Sequence, residues 1–308
     1  MEHLVPVLQA IAPLAWVIFA FTALVIFKND IRAVLGRIDE GEFFGQKLKL
    51  RKDLKKLEDS TAALNEETRE LAPVENDVTD STDEEKANAI INLILEQAAK
   101  SPKVALMMLW LELQRQALNG LAVRGMLRGR TTVPISHALG ELRPYGFPAN
   151  LEGSLELFGS VRNKIVHGGA ATDDDALRAL DSGMTILRAL NSLPKEVNTI
   201  YHPGVDVFSD AACTKLIPGV KGVILEVTSP GGVMKTRRIF PTTRTHFQRG
   251  KEVAWEWNTG AQWPETWYRD PDTQEEKSAW GASAEFVGRH LDDIFRRYAA
   301  KVTEGQHE

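Results

Sequence analysis

The sequence predicts a mainly α chain in three parts: one N-terminal transmembrane helix, a helical bundle, and a small C-terminal α+β domain. Three observations carry this. Residues 4–27 contain no charged side chain. From about residue 83 to 194, apolar residues recur in steps of three and four between Pro and Ser/Thr punctuation, the helical period. After Pro194 the pattern changes to short Val, Ile and Phe runs around Pro-Gly-Gly, as strands and turns require. With 308 residues, of which 43% are hydrophobic and 26% charged, the chain can build two folded cores, which excludes disorder throughout. A net charge of −5 gives no global attraction to nucleic acid, so any such contact is local. The single cysteine, Cys213, excludes an internal disulfide framework and suits a reducing compartment.

The run 4–27 is 24 residues long, enough to cross a bilayer core at about 1.5 Å per residue. Met1-Glu-His precedes it, which is not the basic start of a cleaved signal peptide. Lys28, Arg32, Arg37, Lys47, Lys49, Arg51 and Lys52 all follow it, so the positive-inside rule predicts a single-pass protein of the inner (cytoplasmic) membrane. Its N-terminus lies outside and its bulk in the cytoplasm. In the basic juxtamembrane stretch 28–82, Leu50, Leu54, Leu57, Thr61, Leu64, Thr68 and Leu71 alternate steps of four and three. That is a heptad seam with two polar interruptions. It reads either as a coiled coil, implying a homo-oligomer, or as a solvated helix. Residues 74–86 are acidic and read as a linker.

Thr82 to Glu85 has capping-box spacing and opens a helix to about Lys100. Ser101-Pro102 opens the next, to about Leu121, with Pro at its first position. A short helix fits Ile135–Leu142 between Pro134 and Pro144. Asn150 is placed to cap a longer one ending near His167-Gly168-Gly169. Thr172 with Asp175 opens the last, with Leu177, Leu180, Met184, Leu187 and Leu190 as its stripe. Residues 83–194 thus form a compact all-α bundle. In the domain at 199–300, Val223–Val227 and Val233–Phe240 flank Ser-Pro-Gly-Gly as a hairpin. Val205–Phe208 and Val253–Trp257 are further strand candidates, and 284–298 is an amphipathic helix.

The segment Arg162-Asn163-Lys-Ile-Val-His167 has an Arg-x4-His pattern with a polar residue just after the Arg, late in the bundle's long helix. It lies downstream of a Ser-Pro-led helix containing Leu111-Glu112. This arrangement resembles the HEPN superfamily, over about 110 of the residues. The resemblance implies an α-helical bundle that dimerises and cuts RNA without a metal or other cofactor, the Arg and His of two protomers forming one site. Carried over, Arg162 stabilises charge on the scissile phosphate, His167 is general acid or base, and Asn163 orients one of them. The implied reaction is transesterification to a 2′,3′-cyclic phosphate.

On an ideal helix Arg162 and His167 are about 140° apart, Arg162 within the apolar half and Asn163 with His167 on the other side. They converge only through the reach of the Arg, unwinding at the glycines, or a second subunit. A second interpretation is structural: Arg162 pairs with a carboxylate such as Glu112, and His167 caps the helix C-terminus. Lys235, Arg237, Arg238, Arg244 and Arg249, near His246 and a Trp-rich segment, could track an RNA backbone, or they form a solvated strand face. The histidines lack metal-ligand spacing, so no metal site is expected. There is no P-loop, no Gly-rich dinucleotide turn and no Gly-x-Ser-x-Gly elbow. Two functions follow from this sequence: a membrane-anchored endoribonuclease serving as a defence or stress effector, or a non-catalytic oligomer whose N-terminal spans perturb the membrane or form a pore.

Overall fold

A computed structural model of the chain describes residues 28–71, 81–168, 171–192, 195–230, 232 and 234–304. The elements among them are α1 (Lys28–Leu71), α2 (Ser81–Lys100), α3 (Pro102–Val123), α4 (Ile135–Leu142), α5 (Asn150–His167) and α6 (Asp173–Asn191). Then come β1 (Val197–Phe208), β2 (Leu216–Thr228), β3 (Lys235–Thr242), β4 (Trp257–Trp263), β5 (Thr266–Arg269), β6 (Glu276–Trp280), β7 (Ser283–Phe286) and α7 (Leu291–Glu304).

The predicted fold class needs correction. The C-terminal part is not a minor appendage to a mainly α chain. Its first two strands are 12 and 13 residues long, and five strands make a curled antiparallel sheet ordered β3-β2-β1-β5-β6, with β4 and β7 paired separately. No helix among the described residues is long and apolar enough to cross a membrane. The predicted span at 4–27 lies outside the described residues. The acidic stretch read as a linker is helical from Ser81 onward.

The heptad seam finds its partners inside the chain. Leu50, Leu54, Leu57 and Leu64 are buried in one core with Leu109, Leu155, Phe158, Leu180 and Leu187, so α1 is a bundle helix packed on α5 and α6. Burying each of these leucines contributes about 1.5–3 kcal/mol relative to exposure, and the nearest apolar surface is the chain's own. The interrupting Thr61 is also buried, its hydroxyl donating to the Leu57 carbonyl at 3.0 Å. Polar contacts set the register of α1 antiparallel to α5: Lys164 with Asp53, Ser60 with Ser154 at 2.7 Å, and Glu67 at the start of α5.

Caps predicted from sequence are partly realised. At α6, Thr172 Oγ1 accepts the Asp175 N–H at 3.2 Å and Asp175 Oδ2 accepts the Thr172 N–H at 3.0 Å, a complete capping box. Ser101 precedes α3, with Pro102 in its first turn. Asn150 does not cap α5. The cap position is Ala149, and the orphan donors are met from α1, where Glu67 accepts the Ala149 N–H at 2.6 Å and the Asn150 N–H at 3.1 Å.

The hairpin predicted around Ser-Pro-Gly-Gly exists and is longer, with Glu226 opposite Arg237 and Leu225 opposite Arg238. Strand β1 contains the predicted Val205–Phe208 and extends back through His202-Pro203-Gly204 to Val197. Register shifts on both sides of His202 absorb the proline, which has no N–H to give the ladder. Val253 makes only an isolated bridge to His290, and Trp257 opens β4. Residues 283–286 are strand, so the final helix starts at Leu291.

Sheet and bundle share a packed seam. The Trp255 N–H donates to the Ala122 carbonyl at 2.9 Å. Gly125, at φ +71°, lies where an added Cβ would sit 2.7 Å from the Trp255 carbonyl oxygen. The Glu256 carboxylate, 8% exposed, accepts Arg289 Nη2 at 2.6 Å, Arg289 Nε at 2.8 Å and the Gly129 N–H at 3.1 Å, and Arg289 also donates to the Arg130 carbonyl at 3.0 Å. Helix α7 crosses back so that Leu291 and Ile294 enter the bundle core.

Candidate functional site

Helix α5 carries the three residues singled out in the sequence. Leu151, Leu155, Phe158, Val161 and Ile165 are buried along its inner face, as the wheel requires. Arg162 is buried with them at 9% exposure. Asn163 and His167, four residues apart, are both exposed, and His167 is the last helical residue.

One nitrogen of the buried guanidinium reaches the neighbouring face. Arg162 Nη1 donates to Asn163 Oδ1 at 2.7 Å, which brings the cation to the edge of the face that also carries His167. The direct contact is therefore Arg162 with Asn163. His167 follows one turn along, about 6 Å further in helical rise, and its side chain makes no hydrogen bond among the described residues. On its other side the guanidinium carbon sits 5.8 Å from the centroid of the Trp110 ring. Trp110 is held by Phe158, ring centroids 6.0 Å apart, and by Gly159, where an added Cβ would come within 3.2 Å of the indole.

No carboxylate pairs with Arg162 among the described residues. Glu112, the partner considered from sequence, is taken in two-point contact by Arg115, both bonds 2.7 Å, and by Gln116. Arg162 Nε is buried without any acceptor. Burial holds the Arg162 guanidinium below the usual arginine value, because a desolvated cation is disfavoured and no carboxylate among the described residues offsets it.

The helix end has a steric cause. Gly168 is at φ −92°, ψ 132°, so it is not a left-handed cap. Its N–H closes on the Lys164 carbonyl at 2.9 Å, and a Cβ there would lie 2.2 Å from that same oxygen. Lys164 is tied to Asp53 of α1, which fixes the last turn against the bundle.

The five basic residues of the C-terminal part are mostly answered by acids that are distant in sequence. Lys235 approaches Glu226 at 4.0 Å and Arg244 approaches the buried Glu285 at 4.0 Å. Arg237 bonds Asp272 at 2.6 Å and stacks on the Tyr201 ring at 3.5 Å, with Arg249 at 5.1 Å from the same ring. Arg238 is exposed on β3. Three of the tryptophans beside them are taken up by packing. Trp255 and Trp257 pack edge-on against Phe240 at 5.6 and 4.9 Å in the sheet core, and Trp280 is buried. These basic residues and α5 belong to different units. The sheet joins α3 at Ala122, about 18 Å along the helix axis from Trp110, which marks the Arg162 position.

Sequence reasoning missed Trp110 and the Arg115–Glu112 pairing. The i, i+3 spacing of Glu112 and Arg115 was the available signal for the pairing. Compared with known proteins, the chain matches no family model, no curated protein and no solved structure.

Proposed function

We propose that this chain is a metal-independent endoribonuclease of HEPN-like type, with Arg162, Asn163 and His167 as its site. The observation that carries the reading is a nine-tenths buried arginine that no carboxylate among the described residues neutralises and whose Nη1 bonds the exposed Asn163. A buried unpaired cation costs free energy. A phosphodiester is an anion whose oxygens would supply the missing acceptors. In the proposed reaction the ribose 2′-oxygen attacks phosphorus, the bond to the 5′-oxygen breaks, and a 2′,3′-cyclic phosphate and a 5′-hydroxyl result. His167, exposed at the helix end, takes the 2′-hydroxyl proton or supplies one to the leaving oxygen. Arg162 binds the charge that develops on the non-bridging oxygens. Attachment to the cytoplasmic membrane through 4–27 belongs to the same proposal and rests on the sequence alone.

The test is cleavage of single-stranded RNA by the purified full chain in EDTA. Cutting with cyclic-phosphate ends is expected, lost in Arg162→Ala and in His167→Ala, with Arg162→Lys retaining charge but little activity. Intact RNA across varied substrates would overturn the reading.

A further inference from the structure

The seam where the sheet hands over to α7 holds a titratable group that the proposed RNA chemistry does not use. His290, 5% exposed, is the residue immediately before α7, and its backbone carbonyl accepts the Asp293 and Ile294 N–H groups at 3.2 Å. Its Nε2 accepts the Gln248 backbone N–H at 3.3 Å, which assigns the ring's one proton to Nδ1, facing Asp293 Oδ2 at 3.6 Å. A second imidazole, His246, lies 5.5 Å away between ring centroids and is tied through Nε2 to the Gly288 carbonyl at 2.9 Å. The charged and titratable groups facing His290 are His246 and Lys251 from the 246–251 loop, and Asp292 and Asp293 from α7.

We propose that His290 is an acid-sensitive lock on α7. Neutral, it ties the 246–251 loop to the start of α7 and seats the helix in the bundle. Protonated, it releases both.

Protonation changes each of these contacts in a definite direction. An imidazolium has no acceptor nitrogen, so the Gln248 N–H would face another N–H. The added charge would sit buried, beside His246 and Lys251, and at the N-terminal end of a helix, where the dipole opposes a cation. Asp293 alone favours it at close range, since Asp292 is engaged by Lys251 at 2.6 Å. Burial first, then His246, then Lys251 push His290 below the ordinary histidine value, and the two aspartates only partly oppose them. The folded-state value is thus depressed relative to the unfolded one. The unfolded chain binds the proton more readily, so stability is fully present above about pH 6.5 and falls as pH drops through that value toward the folded one. The side chains that seat α7 are Leu291 and Ile294, buried in the bundle core, and Phe295, under the Arg115 guanidinium at 5.6 Å. Release of α7 exposes this apolar set, while the Trp255–Ala122 and Glu256–Arg289–Gly129 contacts still join sheet and bundle.

The test is hydrogen exchange of the full chain at pH 7.5 and 5.5, corrected for intrinsic rates, comparing the 291–297 amides with those of α3. The wild type should lose about five- to tenfold in α7 protection at the lower pH, because pH 5.5 lies about one unit below the unfolded histidine value and the loss saturates there, with α3 unchanged. His290→Gln, whose side-chain oxygen still accepts from Gln248 and cannot be protonated, should show no such loss. His202→Gln, which removes another partly buried histidine from β1, should retain it. Equal loss in wild type and His290→Gln, or none in the wild type, overturns the proposal. If His290→Gln does not fold, the His290 ring is titrated by NMR in the wild type, and a value at or above that of an ordinary histidine overturns it. RNA cleavage is not read, so this outcome is independent of the nuclease proposal.

Discussion

Replacing Arg162 with Met separates a functional arginine from a structural one. The side chains are similar in length, so the bundle keeps its packing while the charge is removed. On the debit side, Met loses the 2.7 Å bond from a charged donor to Asn163, about 1.5–3 kcal/mol, and the cation–π contact over Trp110, about 0.5 kcal/mol at 5.8 Å, near the outer limit of that interaction. On the credit side, it removes the orphaned Nε donor, about 1–3 kcal/mol, and the desolvation of a cation that no carboxylate offsets. The balance runs from neutral to roughly 2 kcal/mol in favour of Met. The assay is urea denaturation followed by circular dichroism at fixed pH and salt, in parallel with RNA cleavage. The expected result is a variant at least as stable as the wild type and inactive on RNA, as for a residue kept at a cost to stability. A loss of more than about 2 kcal/mol would refute the reasoning, since it would mean that Arg162 holds the bundle together and that the balance above has the wrong sign.

Two further substitutions test how the elements are joined. Leu57→Ala removes a fully buried side chain of α1 from the bundle core and should cost about 2–5 kcal/mol by denaturation; a cost under 1 kcal/mol would mean that α1 does not pack as described. Glu256→Ala leaves Arg289 and the Gly129 N–H without their buried acceptor and should cost about 3 kcal/mol, with two unfolding transitions, sheet and bundle, replacing one in calorimetry. Retention of one transition with little loss of stability would show that the seam does not couple the two units.

Much of the helical half was legible because its signals are local. A Thr that caps the backbone N–H three residues on, a proline in a first turn, and a Gly-Gly exit act within one turn of chain, and α4 falls at Ile135–Leu142 as its flanking prolines predicted. The β2–β3 hairpin was readable for the same reason. Of β1, only Val205–Phe208 was read, because the stretch before it, with Pro203 and Gly204, is held extended by ladder bonds to β2, a segment ten or more residues away. Of the site, the sequence supplied Arg162, Asn163 and His167 and the angle between them.

By itself, then, the sequence determined the helix faces, the caps that bond within one turn, and the placement of Arg162 on the buried half of α5. Tertiary structure alone decided what those faces meet. It turned the α1 heptad inward onto α5 and α6, and gave the start of α5 a cap from Glu67. It took Glu112 away from Arg162 and gave it to Arg115, and set Trp110 behind the guanidinium. The physical reason is the range of the interactions. Backbone periodicity and capping bonds act over three or four residues, whereas the choice of partner for a leucine stripe or a buried charge depends on which surface the rest of the chain places nearest.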